Sequence, residues 1–512
     1  MKKIISGILI ICLFILTCSC TNDNKSQQEG DFITVQEGVI NLQMRDPDIL
    51  DPIKTQKQSV RNGLLTIYEP LYNITEEFGL EPNLATEYTF NDDSTVLSVK
   101  LKEGVLWHNN HVFTADDVVY TVEKIKNTPS SSYYINLEKL AYAQKISDYE
   151  VAFVLSEPYA LFVYNLYFPI MHVNTSYEDF VGTGPYRFIE NDGKELVLGK
   201  NMAWHMGEVK NDGVKFIYMK STRMAQEAFS SGKLHGVTMD MLDTENFAIK
   251  ESHVRNMYPT GLFEFMGFNT TKGVFTDPLL RQAASNALDR DDLAAVYQPS
   301  VGASFPVMKG SRAFSPTFET VEYGAEYASE VIFSAGWADS DNNGVPDKYI
   351  DGEVCDLSVN LIASNQDNKR AKAAEAIKGQ LERAGFKVEL EILPIDEYNQ
   401  RIFGGQFDLF LGAIYFQTPY DVRELLKTRG KVNYTGYSSA LMDEALSRFV
   451  SSGYIDNSTV AFSNVQSLYL TEQPIAGIAF RYSYVLTGKS ITGEVKPYPY
   501  SPYVNVSEWI IK

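Results

Sequence analysis

Cysteine is almost missing from this chain: four in 512 residues, Cys12, Cys18, Cys20 and Cys355. Three of them crowd into the first twenty positions, so no disulfide framework can staple the body. Stability must come from a large buried core, which a chain of this length can supply. Long apolar runs are missing too. The run Ile4 to Leu16, broken only by Ser6 and Gly7, is short of the roughly 20 residues that a bilayer span needs. Histidine is scarce and one-sided, with six residues (108, 111, 172, 205, 235, 253) and none in the second half. His108 and His111 stand three apart with no carboxylate at zinc-ligand spacing, which favours a structural role over a metal site. Neither a GxSxG elbow, a P-loop, HExxH nor CxxC occurs, and no internal repeat or low-complexity block is visible. No catalytic constellation and no cofactor are therefore expected. Basic residues are in deficit, 45 Lys and Arg against 65 Asp and Glu, a formal charge of −20. Such a chain is a poor partner for nucleic acid or anionic lipid surfaces.

At the amino terminus, Met1-Lys2-Lys3 precedes the apolar run, and Thr17-Cys18-Ser19-Cys20 follows it, then a polar tract. Cationic start, short apolar region and small residues read as a secretory signal over residues 1–19. The small residues before a cysteine resemble a bacterial lipobox, and Cys20, preceded by Ser19, suits cleavage better than Cys18. Thr17 departs mildly from the aliphatic residue usual at that place. Cys20 is thus the expected lipidated terminus, with residues 20–31 a flexible tether. Loss of Lys2 and Lys3 with the leader takes the formal charge from −20 to −22.

Local signals continue along the body. Phe32 to Met44 alternates weakly as a first strand, and Gln58 to Leu71 reads as helical. Thr95 to Leu101 alternates with period two, a strand signal, and Asn109-Asn110 can turn the chain. Thr114 is an N-cap with Asp117 in a capping-box position, ahead of Val118, Val122 and Ile125 at helical spacing. Tyr133 to Ala160 suggests a helix-like piece and then a strand at Glu150–Leu155. Gly182-Thr183-Gly184-Pro185 permits unusual backbone, but a strand follows, and a phosphate cradle needs a helix there. Asp277 can cap a helix starting at Pro278. Asn368 to Ala384 is a helix ended by Gly385, then come a strand (Lys387–Leu393), a helix (Asp396–Phe403) and an apolar strand (Phe407–Phe416). Strand, helix and buried strand argue for a mainly parallel sheet covered on both faces, presenting ligand at its carboxyl ends. Asp339, Asp341, Asn343 and Asp347 around Gly344 resemble a calcium loop, but Ile350 stands at the twelfth position, where a bidentate carboxylate belongs. A surface turn is the favoured reading, and no metal site is expected.

The order of these residues goes further than periodicity. Gly104-Val105, Trp107-His108 and Phe113-Thr114-Ala115-Asp116-Asp117, then Gly182-Thr183-Gly184-Pro185-Tyr186, then Gly267-Phe268-Asn269 through Asp289-Arg290, resemble solute-binding protein family 5. These are extracytoplasmic lipoproteins serving dipeptide, oligopeptide and nickel ABC importers. The resemblance covers essentially the whole mature chain. It implies an α/β, periplasmic-binding-protein-like fold, with two lobes closing on a ligand cleft and a smaller domain inserted in the first. The implied order is lobe 1 over 32–64, 176–262 and 476–512, the small domain over 65–175, and lobe 2 over 263–475. Trp107, Phe113 and Thr114 would be architectural.

The resemblance also implies a non-enzymatic function: capture of a solute, most simply a peptide, on the outer face of the cytoplasmic membrane and delivery to an ABC permease and its ATPase. The alternatives are a sensor or chaperone-like protein on the same scaffold, or import of an oligosaccharide or metal chelate. The loop opened by Arg45, with Leu50-Asp51-Pro52, would line the cleft, as would Tyr415, Phe416, Gln417, Tyr420 and Asp421 beyond the buried strand. Peptide binders carry an Asp for the ligand's ammonium about where Gln417 stands. A neutral Gln cannot make that charge-assisted bond. Asp421, the nearest carboxylate, is either that anchor or a cap for a helix starting near Val422. Pro419-Tyr420-Asp421 is similar to the nickel branch, whereas the lack of a second-half histidine is not.

Overall fold

The computed structural model describes residues 38–242, 247–311, 313–315, 323–350, 352–452 and 455–512. Cys20 and the tether lie outside them. Two long strands, His253–Phe268 and Ile475–Gly488, pair antiparallel at the centre of an eleven-stranded sheet. On one side of this ribbon follow Gly236–Thr238, Val39–Arg45, Gly213–Met219, Glu195–Lys200 and Tyr186–Asn191. On the other follow Leu409–Tyr415, Ser358–Ser364 and Lys387–Leu393, and the eleventh strand, Ser300–Gly302, pairs with Ile475–Gly488 off this path. The ribbon pairs over residues 253–259 with 482–488 and 263–267 with 475–480, and its register shifts between Pro259 and Phe263 and again between Glu264 and Phe265. Gly261 lies in the first shift with φ +77°, a left-handed conformation that suits glycine. Within Ile475–Gly488, residues up to Phe480 pair with the 263–267 block and residues from Tyr482 onward with the 253–259 block.

Pairing directions place the cleft. Val39–Arg45 is parallel to Gly213–Met219 and to Gly236–Thr238, and the last is antiparallel to Ile475–Gly488. These lobe 1 strands consequently run in the same sense as His253–Phe268, toward lobe 2. Leu409–Tyr415 is antiparallel to His253–Phe268, and Ser358–Ser364 and Lys387–Leu393 run with it. They point back toward lobe 1. The carboxyl ends of both sets face each other across the crossover, the place where open α/β sheets present ligands.

Each lobe has its own core. Leu42, Met44, Val60, Phe216, Val485 and Trp509 pack in lobe 1, while Met266, Leu280, Leu293, Leu361, Ile377 and Leu411 pack one face of lobe 2. A third cluster joins the small domain to the other face of lobe 2, running from Trp107, Phe113, Val122 and Phe162 to Phe263, Phe410, Phe416 and Leu446. The small domain has a separate four-stranded antiparallel sheet, Ala85–Phe90, Val96–Leu101, Glu150–Leu155 and Leu140–Ser147 in that order. The helix Ala115–Lys126 covers it. Asp117 explains why its start is so marked. Its carboxylate accepts from Thr114 N at 3.0 Å, from the Trp107 indole at 3.1 Å and from Val173 N at 3.0 Å.

Two expectations need correction. The first helix spans only Gln58–Leu64, because the carbonyls of Thr66 and Ile67 are taken by Tyr186 N and Gly184 N where the chain enters and leaves the small domain. This neck has no room for side chains: a Cβ on Gly182 would lie 1.9 Å, and on Gly184 2.7 Å, from the Ile67 carbonyl oxygen. The glycine phrase is thus a close backbone crossing. The helix-like piece after Tyr133 is a single 3-10 turn, Tyr134–Leu137, followed by the edge strand Leu140–Ser147.

Candidate functional site

Lobe 1 presents Arg45, the last residue of its strand, and Asp240, just past Gly236–Thr238. The Arg45 guanidinium donates to the Asp240 carbonyl at 2.9 Å and lies 4.0 Å from its carboxylate. Behind them a relay fixes the strand ends. The Tyr503 hydroxyl donates to the Gln43 side-chain oxygen Oε1 at 2.9 Å, the Gln43 side-chain Nε2 to the Thr238 hydroxyl at 2.5 Å, and the Thr238 hydroxyl to the Asp240 carboxylate at 2.5 Å. Both members of the Arg45–Asp240 pair stay largely open to solvent.

Lobe 2 presents charges held more firmly. Glu264, on one crossover strand, is fully buried. Arg370, at the start of helix Asn368–Ala384, reaches it at 3.2 Å, and Arg481, on the other crossover strand, at 2.7 Å. The latter is an ion pair whose Nε–H is not aligned for a hydrogen bond. Arg481 also meets Asp367 at 2.6 Å and covers the Tyr297 ring at 4.7 Å. Burial pushes the Glu264 carboxyl above its ordinary range, against the pull of the two arginines. For Asp367 burial also works upward, but Arg481 outweighs it and the pKa is lowered. A charge inside an otherwise apolar strand was the available signal for this group, Glu264 in Phe263–Phe268 and Arg481 in Ala479–Tyr482.

The stretch after Leu409–Tyr415 divides between surfaces. Tyr415 is exposed at the strand end, with its ring 6.5 Å from that of Tyr500. Phe416 is buried beside Phe263, and its N–H donates to the Gly261 carbonyl at 3.1 Å. The Gln417 side chain is exposed, while its carbonyl accepts from the hydroxyls of Tyr500 and Tyr167 at 3.4 and 3.5 Å. Tyr420 is buried, and its hydroxyl donates to the Phe78 carbonyl of the small domain at 2.8 Å. Arg45, Tyr415 and Gln417 therefore meet solvent at or beside the mouth, and Phe416 and Tyr420 pack inward.

Asp421 is engaged on three sides. Arg423 grips it with two nitrogens at 2.8 and 2.7 Å, and Tyr159 of the small domain donates its hydroxyl at 2.7 Å. The Arg423 guanidinium also covers the Tyr159 ring at 4.5 Å. Burial would raise the Asp421 pKa, but the Arg423 and Tyr159 hydrogen bonds prevail and hold it below the usual carboxylate range. Its bond to Arg423 N, at the start of the short helix Arg423–Leu426, is the longest of the set at 3.3 Å.

Elsewhere, the carboxylates of Asp339, Asp341 and Asp347 lie within 4.8 Å of one another. Asp339 and Asp341 accept the amides of Asn343 and Gly344, and Asp347 holds Ser340, so the loop's own donors already use them. His108 bonds Gly182 N and Gly184 O at the neck, and His111 meets His172 at 3.1 Å.

A family model described as bacterial extracellular solute-binding proteins, family 5 Middle, matches residues 79–434. The oligopeptide-binding protein AppA of Bacillus subtilis is 21% identical over 99% of this chain and 97% of its own length. The glutathione-binding protein GsiB of Escherichia coli K12 is 22% identical over 67% of this chain and 66% of its own. A nickel ABC transporter structure from Bacillus halodurans superposes with TM-score 0.79 at 18% identity, covering 92% of this chain and 99% of that one. The fold is shared across these proteins.

Asp421→Asn should lower the urea midpoint at pH 7, by about 3 kcal/mol of stability, because it leaves a buried guanidinium poorly paired. An unchanged midpoint would return Asp421 to a capping role. The pH dependence has a defined sign. The folded pKa is depressed, so the stabilisation is complete above the unfolded value of about 3.9 and is lost as pH falls through the folded one. The wild-type midpoint should therefore drop more steeply than the variant's below about pH 4.

Proposed function

The chain belongs to the bacterial extracellular solute-binding proteins of family 5, and from that premise we propose that it captures short peptides between its two lobes. Members of this family are transport binding proteins that work with an ABC permease, and they are not enzymes. Among the described residues no helix is long and apolar enough to cross a membrane.

One observation supports a peptide over other solutes. Each lobe brings charges of both signs to the mouth, Arg45 with Asp240 on one side and Arg370 and Arg481 with Asp367 on the other, over the buried Glu264. A zwitterion with separated ends matches that pattern, and an uncharged sugar leaves it unused. The ammonium counter-charge in this reading is Asp240, which is solvent-facing, whereas Asp421 is committed to Arg423 and Tyr159. Closure follows the hinge repertoire of binding proteins, bending at the register shift around Gly261.

Calorimetry with a set of tri- to pentapeptides tests this. Saturable binding is expected, weakened roughly ten-fold or more by amino-terminal acetylation or by Asp240→Asn, the scale of a charged hydrogen bond. Peptides that give no heat while a nickel–histidine complex or an oligosaccharide does would overturn the reading. The anchor is part of the same proposal. Cys20 follows a short apolar run and small residues, and Cys20→Ala should move the protein out of the membrane fraction. Retention there with undiminished incorporation of labelled palmitate would count against lipidation at Cys20.

A further inference from the structure

A cavity of about 350 Å³ lies between the small domain and the carboxyl-terminal segment of lobe 1, apart from the mouth between the lobes. Its walls include Asn73, Glu81, Asn83, Tyr167, Trp204 and Tyr498. The position follows from the fold. Trp204 succeeds Glu195–Lys200, whose Gly199 pairs with Gly213 at the beginning of Gly213–Met219, the end remote from lobe 2. Tyr167 and Tyr500, stacked at 4.4 Å, both border the cavity. Their hydroxyls donate to the carbonyls of Phe416 and Gln417, so these two rings separate it from the lobe 2 side.

We propose that this cavity is a second small-molecule site, for a protonated primary amine. Two independent features point to a ligand. Asn83 is 94% buried, 6% exposed, and lines the cavity, yet its side-chain amide has no hydrogen-bond partner among the described residues. Its polar atoms are not sealed off from solvent, so they face the cavity, where a ligand can take the place of water. Glu81 is the second. Its carboxylate accepts only the Tyr498 hydroxyl, at 3.2 Å, and no cation stands within ion-pair reach among the described residues. Asn73 lies opposite Glu81 in the hairpin register of Tyr72–Ile74 with Leu80–Pro82, adding a second amide beside the carboxylate.

The charges that border the cavity are otherwise spoken for. Glu69 is bonded by the His205 ring at 2.9 Å and the Trp204 indole at 3.0 Å. Glu508 pairs with Lys210 at 2.5 Å, and Lys496 with Glu76 at 3.6 Å. What is left over is the negative charge of Glu81 and, on the exposed rim, of Glu494. An ammonium offers three donors, enough for the Glu81 carboxylate and the two amide oxygens. Its methylenes can lie along the Trp204 ring, whereas the Tyr498 ring already carries the Lys496 ammonium at 5.7 Å.

Titration calorimetry on the intact mature protein tests the assignment, with putrescine as the probe and butane-1,4-diol as its uncharged control of equal length. Saturable heat is expected for putrescine and none for the diol. Glu81→Gln should weaken the binding ten-fold or more, and Asn83→Ser should weaken it as well, with thermal unfolding of each unliganded variant as the folding check. Asp240→Asn, at the mouth between the lobes, should leave it unchanged, so failure of the peptide reading and failure of this one are distinguishable. The proposal is overturned if putrescine gives no saturable heat at millimolar concentration, or if the diol matches it. It is likewise overturned if Glu81→Gln and Asn83→Ser both bind as the wild type does, or if Asp240→Asn abolishes the signal.

Discussion

Two strands shared by both lobes constrain everything else in this molecule. His253–Phe268 and Ile475–Gly488 contribute one half of their ladder to each lobe. Breaking that ribbon would strand buried backbone donors and acceptors, so it ties the two lobes together. In the closure proposed above, the bend falls where the pairing is most interrupted. Between Pro259 and Phe263 the register slips, Gly261 takes a positive φ, and the Thr260 hydroxyl donates to the Arg481 carbonyl at 2.9 Å in place of a ladder bond. The direction of the ribbon also decides that the carboxyl ends of both parallel sets meet. Fold and cleft follow from one pairing.

The small domain belongs to lobe 1 by chain connection and to lobe 2 by contact. Its neck is a backbone crossing against Ile67, which ties it to lobe 1. Its outer parts reach lobe 2 through Tyr159 on Asp421, Asn165 on Thr418, and the Phe78 carbonyl on Tyr420. Behind these polar contacts the aromatic cluster runs unbroken from Phe162 to Phe416 and Leu446. A buried bidentate Arg–carboxylate pair at such a junction gives geometric specificity, since either partner alone would be an uncompensated charge. The domain is thus placed to follow lobe 2 as much as lobe 1.

What the sequence revealed depended on range. The Thr114–Asp117 cap, the Asp277 cap before Pro278 and the Gly385 stop of Asn368–Ala384 are local devices, and each stands where periodicity and capping chemistry put it. The Gln58 to Leu71 stretch read too long because the force that ends its helix at Leu64 is a strand more than a hundred residues away. The same holds for the site. Asp421 was visible as a carboxylate beside the apolar strand, but its partner Tyr159 is 262 residues distant. Glu264 and Arg481 looked like isolated charges in apolar strands, and only the ribbon brings them together with Arg370 and Asp367. Pairing of that range is set by tertiary packing and has no local signature.

The central claim is that solute is held between lobes that bend about the shared ribbon. Spin labels at Lys233→Cys in lobe 1 and Lys387→Cys in lobe 2, in a Cys355→Ser background, report the lobe separation directly by pulsed dipolar spectroscopy. Peptide that binds by calorimetry should narrow the distance distribution and shift it to one population, with the shift lost when Gly261 is replaced by valine. Saturating peptide that leaves the distribution as broad and as centred as in the unliganded protein would contradict the account.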